Sequence, residues 1–263
     1  MLCGVKALVE QASSTLRAEG FGSLVFKTLR YPFKPLLAPR ASRALHAAAD
    51  EHTDVEGLVG LVKSFNYGGI TAPAWQKNPE ITALLRLLQA EPPRTVLEIG
   101  TAGGGTLFLL TRLATPDALL VSVDLRHGRF GGGYPAWRGR FYRSFARERQ
   151  RVEPLRGDSH EQGLKRRVER LFDGRALDLL FIDGDHTYEG VQQDLADYSP
   201  LVRPGGLIAF HDIVPGGPGK HGDPGGVPIF WRELKESHPD ATEFVEDWEW
   251  GSCGIGVLRT PAN

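Results

Sequence analysis

TVLEIGTAGGGT, residues 95–106, joins an apolar run to a glycine turn. Val96, Leu97 and Ile99 predict a short buried strand. The run carries one acid, Glu98, and then breaks at Gly100, Gly103, Gly104 and Gly105. Leu107 to Leu113 resumes as an apolar segment able to form a helix. Strand, glycine turn and helix is the layout that admits a nucleotide-like ligand. Glycines let the backbone approach it, and the helix N-terminus offers unpaired N–H groups. A glycine turn after a strand is also an ordinary structural feature, so the flanking segments must decide.

Downstream, Leu119–Asp124 reads as a second strand, and its terminal acid lies 26 residues after Glu98. An acid there can take both hydroxyls of a ribose, or can cap a turn. Residues 126–134, with three consecutive glycines, predict a mobile loop. Trp137 to Arg151 reads as a basic-aromatic helix, packed through its aromatics and solvated through its arginines, or able to hold an anionic substrate. Residues 152–156 form a third strand. Asp158 then either faces a ligand base or, with Ser159, caps a helix over 161–172.

Leu177 to Asp183 is apolar enough for a parallel strand buried on both faces. It delivers Asp183, Asp185 and His186 to the carboxyl edge, where open α/β sheets bind ligands. A helix over 188–198 and the turn after Val202 lead to a fifth strand ending in His211 and Asp212. Residues 214–227 are rich in glycine and proline. Residues 227–235 predict a helix, and strands are expected near Phe244 and over 255–258.

Upstream, a helix is expected over 51–67, broken at Gly68-Gly69, and another starts at Asn78-Pro79 with Asn78 as N-cap. Residues 1–50 read as a basic arm, free of acids from Gly20 to Ala49, with Pro32, Pro35 and Pro39 limiting any helix to short pieces. Residues 20–49 suit a membrane surface or a partner subunit, or an arm folded over its own domain.

The 263 residues are 41% hydrophobic and carry a net charge of −1, which suits one α/β domain over 51–263 and gives no sign of nucleic acid as a partner. Cys3 and Cys253 cannot form a disulfide scaffold, and a reducing cytoplasm is the expected location. No apolar run is long enough to cross a membrane, and residues 1–11 lack a cleavable signal pattern.

LEIGTAGGGT, VSVD, RGDSHE, LLFIDGDHTYEG and VRPGGLIAFHD, in that order over roughly residues 65–260, resemble the class I S-adenosylmethionine-dependent methyltransferases. The resemblance is greatest to bacterial sugar and macrolide O-methyltransferases and cephalosporin-hydroxylase-like proteins. It implies a Rossmann-like, doubly wound, mostly parallel seven-stranded sheet with helices on both faces and an N-terminal helical extension. It implies that Glu98, Gly100, Thr101, Ala102, Gly104 and Thr106 frame the methionine part of S-adenosylmethionine. Asp124 would hold the ribose, Asp158 and Ser159 the adenine edge, and Asp183 would lie beside cofactor and acceptor. In metal-dependent relatives the positions of Asp183, His211 and Asp212 bind Mg²⁺. The His-Asp pair here departs from an all-oxygen set and would suit Mn²⁺ better.

The implied function is O-methylation of a small-molecule or glycan hydroxyl, with His186 as first choice for the base, Asp185 orienting it or serving as base itself, and His211 as a further base or substrate contact. A homo-oligomer is the expected assembly. Two alternatives compete: an NAD(P)-dependent oxidoreductase, and a non-catalytic cofactor-binding module anchored by the N-terminal arm. The spacing after Gly100 departs from G-x-G-x-x-G, which weakens the first.

Overall fold

The computed structural model describes residues 33–126, 132–216, 225–249, 251 and 253–262. Most of the N-terminal arm, the tip of the 126–134 loop and much of the 214–227 segment lie outside the described residues. Besides a two-stranded antiparallel hairpin of residues 66–67 and 70–71, where the sequence reading carries a helix to 67, the strands are β1 (Thr95–Ile99), β2 (Leu119–Asp124), β3 (Arg151–Arg156), β4 (Leu177–Ile182), β5 (Val202–His211), β6 (Thr242–Phe244) and β7 (Ile255–Arg259). They form one sheet in the order β3-β2-β1-β4-β5-β7-β6. β1 to β5 are parallel, and β7 runs antiparallel to both of its neighbours. The seven-stranded doubly wound sheet is the one the sequence predicts.

The chain leaves β1 toward β2 and β3, then returns to the other side of β1 as β4. That reversal opens a crevice at the carboxyl ends of β1 and β4, the usual ligand position in such sheets. The Asp183 N–H donates to the Ile99 carbonyl at 2.8 Å just beyond the two strand ends.

Two cores cover the two faces, because successive strand side chains point to opposite sides. Val96, Leu120, Leu179 and Phe181 join the core built by α1 (Lys34–Asp50), α2 (Val55–Ser64), α3 (Asn78–Ala90), α4 (Gly105–Leu113) and α5 (Ala136–Arg143). Leu97, Val121, Leu180 and Phe210 join the core built by α6 (Gln162–Phe172), α7 (Tyr188–Tyr198) and α8 (Val227–Glu236). α6 shows the cause plainly: Leu164, Val168 and Phe172 recur every four residues and are buried. Each such side chain contributes about 2 kcal/mol of transfer free energy.

Three local expectations are corrected. Residues 34–50 form one continuous helix despite Pro39. Pro39 forfeits one backbone bond, but Ala38, Ala41, Leu45 and Ala49 bury one face against the core and outweigh that loss. Asn78 is not an N-cap: Lys77 holds that position with no side-chain bond, and Asn78 and Pro79 begin the helix. The basic-aromatic helix stops at Arg143 rather than Arg151, since Phe141, Tyr142 and Phe145 turn into the core and the chain must reach β3. Among the described residues no helix is long and apolar enough to cross a membrane.

Candidate active site

The turn after β1 is held from several sides. Gly100 has φ +96°, and a Cβ there would fall 1.8 Å from the Asp183 carbonyl oxygen. Gly104 has φ +81°, and a Cβ there would strike the Tyr142 ring at 2.4 Å. Ala102 takes φ +40°, uncommon for a residue with a side chain. The Tyr142 hydroxyl donates to the Ala102 carbonyl at 2.7 Å, and Arg138 donates to the Gly103 carbonyl at 3.2 Å. The basic-aromatic helix therefore braces the glycine turn.

Glu98 is fully buried, and neither carboxylate oxygen makes a well-formed hydrogen bond among the described residues, the Thr101 hydroxyl being its polar neighbour. Burial, with Asp183 and Asp124 nearby, pushes its carboxyl well above the usual range, against the Thr101 hydroxyl. Asp124 accepts from the N–H groups of Ala102 at 2.6 Å, Leu125 at 2.7 Å and Gly133 at 2.8 Å. Burial still raises its pKa. Asp124 thus ties the glycine turn to the loop after β2 while keeping acceptor capacity toward the crevice.

Beyond β4 and β5, two carboxylates and two imidazoles interlock. Asp183 Oδ1 lies 3.0 Å from His211 Nδ1 and 3.7 Å from His186 Nε2. Asp212 Oδ2 lies 3.4 Å from His186 Nδ1, and its Oδ1 is 3.4 Å from His211 Nδ1. Burial opposes the Asp183 charge, but the two histidines outweigh it and hold the carboxyl below its ordinary range. Burial likewise opposes charge on His186 and His211, and the two aspartates outweigh it and raise both imidazoles. One oxygen each from Asp183 and Asp212 and one nitrogen from His186 lie within 4.8 Å of one another, a set able to hold a metal ion.

The remaining predicted residues fall in different places. Asp185 accepts from the Thr187 N–H at 2.8 Å and acts electrostatically on His160 and Asp194, on the α7 side of the edge. Thr187 caps α7, accepting from the Gly190 N–H at 3.0 Å. Asp158 accepts from the His160 N–H at 2.9 Å. Ser159 is buried beside it, and its carbonyl accepts from Tyr198 at 2.7 Å. Thr106 is packed behind the turn, where its hydroxyl donates to Gln76 Oε1 at 2.8 Å.

Gln76 escapes the sequence reading. Its amide donates to Asp183 Oδ2 at 2.8 Å, so a loop residue 107 positions away holds the second oxygen of that carboxylate. The only signal is a polar side chain next to an aromatic in an otherwise unremarked loop.

Comparison with known proteins agrees with this geometry. A family described as "Methyltransferase domain" matches residues 97–213. The chain is 26% identical over 159 residues, 58% of its length, to the uncharacterized protein y4gI of Sinorhizobium fredii (strain NBRC 101917 / NGR234). It spans only about 16% of that relative's length. The fold is similar to that of cofactor-bound Rv0187 from MTB, at 22% identity and TM-score 0.52 over 96% of each chain. It is also similar to an O-methyltransferase from Bacillus cereus solved in complex with SAH, at 22% identity and TM-score 0.51 over 78% of this chain and 90% of that one. The matched segment runs from the strand before the glycine turn to just past Asp212, so this part of the chain is similar to a methyltransferase domain.

Proposed function

We propose that the chain methylates a hydroxyl oxygen of a small molecule, a sugar or glycosylated natural product being the expected class. The observation that carries this reading is the bracketing of His186 by Asp183 and Asp212 at the carboxyl edge, one strand from the glycine turn.

The crevice suits S-adenosylmethionine on its own chemistry. Glu98 presents two buried oxygens with no well-formed hydrogen bond among the described residues, Gly100 and Gly104 hold the turn at positive φ against Asp183 and Tyr142, and α4 begins there without a side-chain cap. Gly100, Thr101, Ala102 and Gly104 would line the methionine part, Asp124 the ribose, and Asp158 with Ser159 the adenine. The cofactor supplies a methyl group on a sulfonium, already a good leaving group. What remains for the protein is to orient the acceptor oxygen in line and to remove its proton.

In this reading His186 takes that proton. Asp183 and Asp212 stabilise the resulting imidazolium, which makes the ring a stronger base. The Gly226 N–H donates to the His186 carbonyl at 2.7 Å and fixes the backbone beneath the ring. His211 holds Asp183 in place from the other side, and Asp185 organises the start of α7.

The donor set of Asp183, His186 and Asp212 supports a second reading of the same step. A divalent cation held there would lower the pKa of the acceptor hydroxyl. The nitrogen donor favours Mn²⁺ over Mg²⁺. The sequence points to His211 for this role, whereas the donor atoms group around His186.

Calorimetry with S-adenosylhomocysteine, followed by methyl-transfer assays on hydroxylated acceptors, tests the assignment. His186→Ala should abolish transfer and leave cofactor binding within about threefold. Joint loss of binding and transfer would remove His186 from the chemistry. Heat from a nicotinamide dinucleotide alone would overturn the cofactor. Full activity after exhaustive EDTA treatment would exclude the cation.

A further inference from the structure

We propose that Glu80, His211 and Cys253 form a separate site for a thiophilic divalent cation of the zinc type, beside the methyl-transfer crevice. Glu80 lies in the first turn of α3, His211 ends β5, and Cys253 sits in the link that leads into β7. A carboxylate oxygen, a ring nitrogen and the sulfur lie within 4.8 Å of one another. Around a tetrahedral ion with bonds of about 2.0–2.3 Å they would close in by about 1 Å.

The histidine points to a ligand. Asp183 occupies Nδ1 of His211 at 3.0 Å. Nε2 is buried and makes no well-formed hydrogen bond among the described residues, in a residue only 6% exposed, with the Cys253 side chain as a bonding neighbour of the ring. A ring nitrogen so weakly satisfied is costly unless something binds it. With a cation on Nε2, Nδ1 carries the proton and donates it to Asp183. That is the carboxylate–histidine–metal arrangement which fixes a ligating imidazole's tautomer.

The other two donors are also oriented. Glu80 is 1% exposed, and its carboxylate accepts from the N–H groups of Glu246 at 3.2 Å and Gly254 at 3.0 Å. The Cys253 N–H donates to Asp212 Oδ1 at 2.9 Å, holding that residue at φ +69°. One oxygen, one nitrogen and one sulfur suit Zn²⁺ or Co²⁺ and disfavour Mg²⁺ or Ca²⁺. The thiol releases its proton to solvent when the ion binds. Lys63 of α2 lies in the field of Glu80 and Cys253, and its ammonium is the charge an incoming ion must work against.

The site is separable from the methyl-transfer reading, because the Asp183–His186–Asp212 set contains no sulfur. The probe is Co²⁺ titrated into the metal-stripped full-length protein. The expected result is one near-ultraviolet sulfur-to-cobalt charge-transfer band per chain, retained in Cys3→Ser and lost in Cys253→Ser. Glu80→Gln should weaken Co²⁺ binding about tenfold or more, and Lys63→Met should tighten it. No such band in the wild type, or a band that survives Cys253→Ser, overturns the proposal even if methyl transfer is normal. A protein that shows the band but binds no S-adenosylhomocysteine would sink the function reading and leave this site standing.

Discussion

Gln76 engages three partners at once. Its amide donates to Asp183, its side-chain oxygen accepts from Thr106, and its backbone carbonyl accepts from Lys63. In the proposed reaction it is a positioning residue, acting through Asp183. Gln76→Ala leaves a buried carboxylate oxygen and a buried hydroxyl unpaired, at about 1–3 kcal/mol for each group. The expected outcome is a fall in kcat of about tenfold or more, with S-adenosylhomocysteine affinity unchanged by calorimetry. A general loss of folding would move both.

Glu98 predicts the opposite balance. A carboxyl whose pKa is raised in the fold opposes folding once pH exceeds its unfolded value of 4.5, and that cost is relieved as pH falls. Glu98→Gln should therefore raise Tm at neutral pH and weaken cofactor binding. A lowered Tm would show that the charge has a partner in the resting protein.

At the scale of elements, α6 and α7 are joined at the sheet edge by His160 and Asp194. Their Nε2 and Oδ1 atoms lie 3.1 Å apart, with Asp194 fully buried. Bonding to Asp194 outweighs burial, and with Asp158 and Asp185 also facing the ring His160 is raised to about 9. Burial, by contrast, pushes Asp194 up. A histidine raised in the fold stabilises fully below its unfolded pKa of 6.5, and that stability fades as pH rises through about 9. Thermal melts between pH 7 and 10 should show a decline that His160→Gln flattens. Parallel curves would refute the pairing.

In α1, Pro39 is exposed and costs one backbone bond. Pro39→Ala should stabilise the protein by about 1–3 kcal/mol in urea unfolding. No gain would mean that the helix already bends to absorb the ring.

Over the whole molecule, α1 belongs to the core of the face it covers. Leu45 and Ala49 are wholly buried alongside Val59, Phe108 and Phe145. Leu45→Ala should cost about 2–5 kcal/mol, read from the denaturation midpoint. A cost below 1 kcal/mol would mean that the helix docks loosely.

Much of this arrangement was readable in the chain. Apolar runs of buried-strand character, three of them closed by Asp124, Asp183 and His211, set the sheet and its carboxyl edge, because a parallel strand covered on both faces places polar groups most readily at its end. The glycines at 100 and 104 likewise announce a turn that a side chain would block. The continuity of α1 was not readable, since a local rule about proline weighs one lost bond without the burial gained elsewhere. Gln76 was not readable either, because nothing near it in sequence says that it meets Asp183.

Local pattern and composition by themselves determined the strands, their order of acids and the glycine turn, since those depend on side-chain periodicity and backbone freedom within a few residues. Which histidine spans Asp183 and Asp212 with its two ring nitrogens, which one turns a nitrogen toward Glu80 and Cys253, and which loop secures Asp183 were decided only by tertiary structure. Those are distances between segments up to 174 residues apart, and they are fixed by how the two cores pack rather than by any neighbour in the chain.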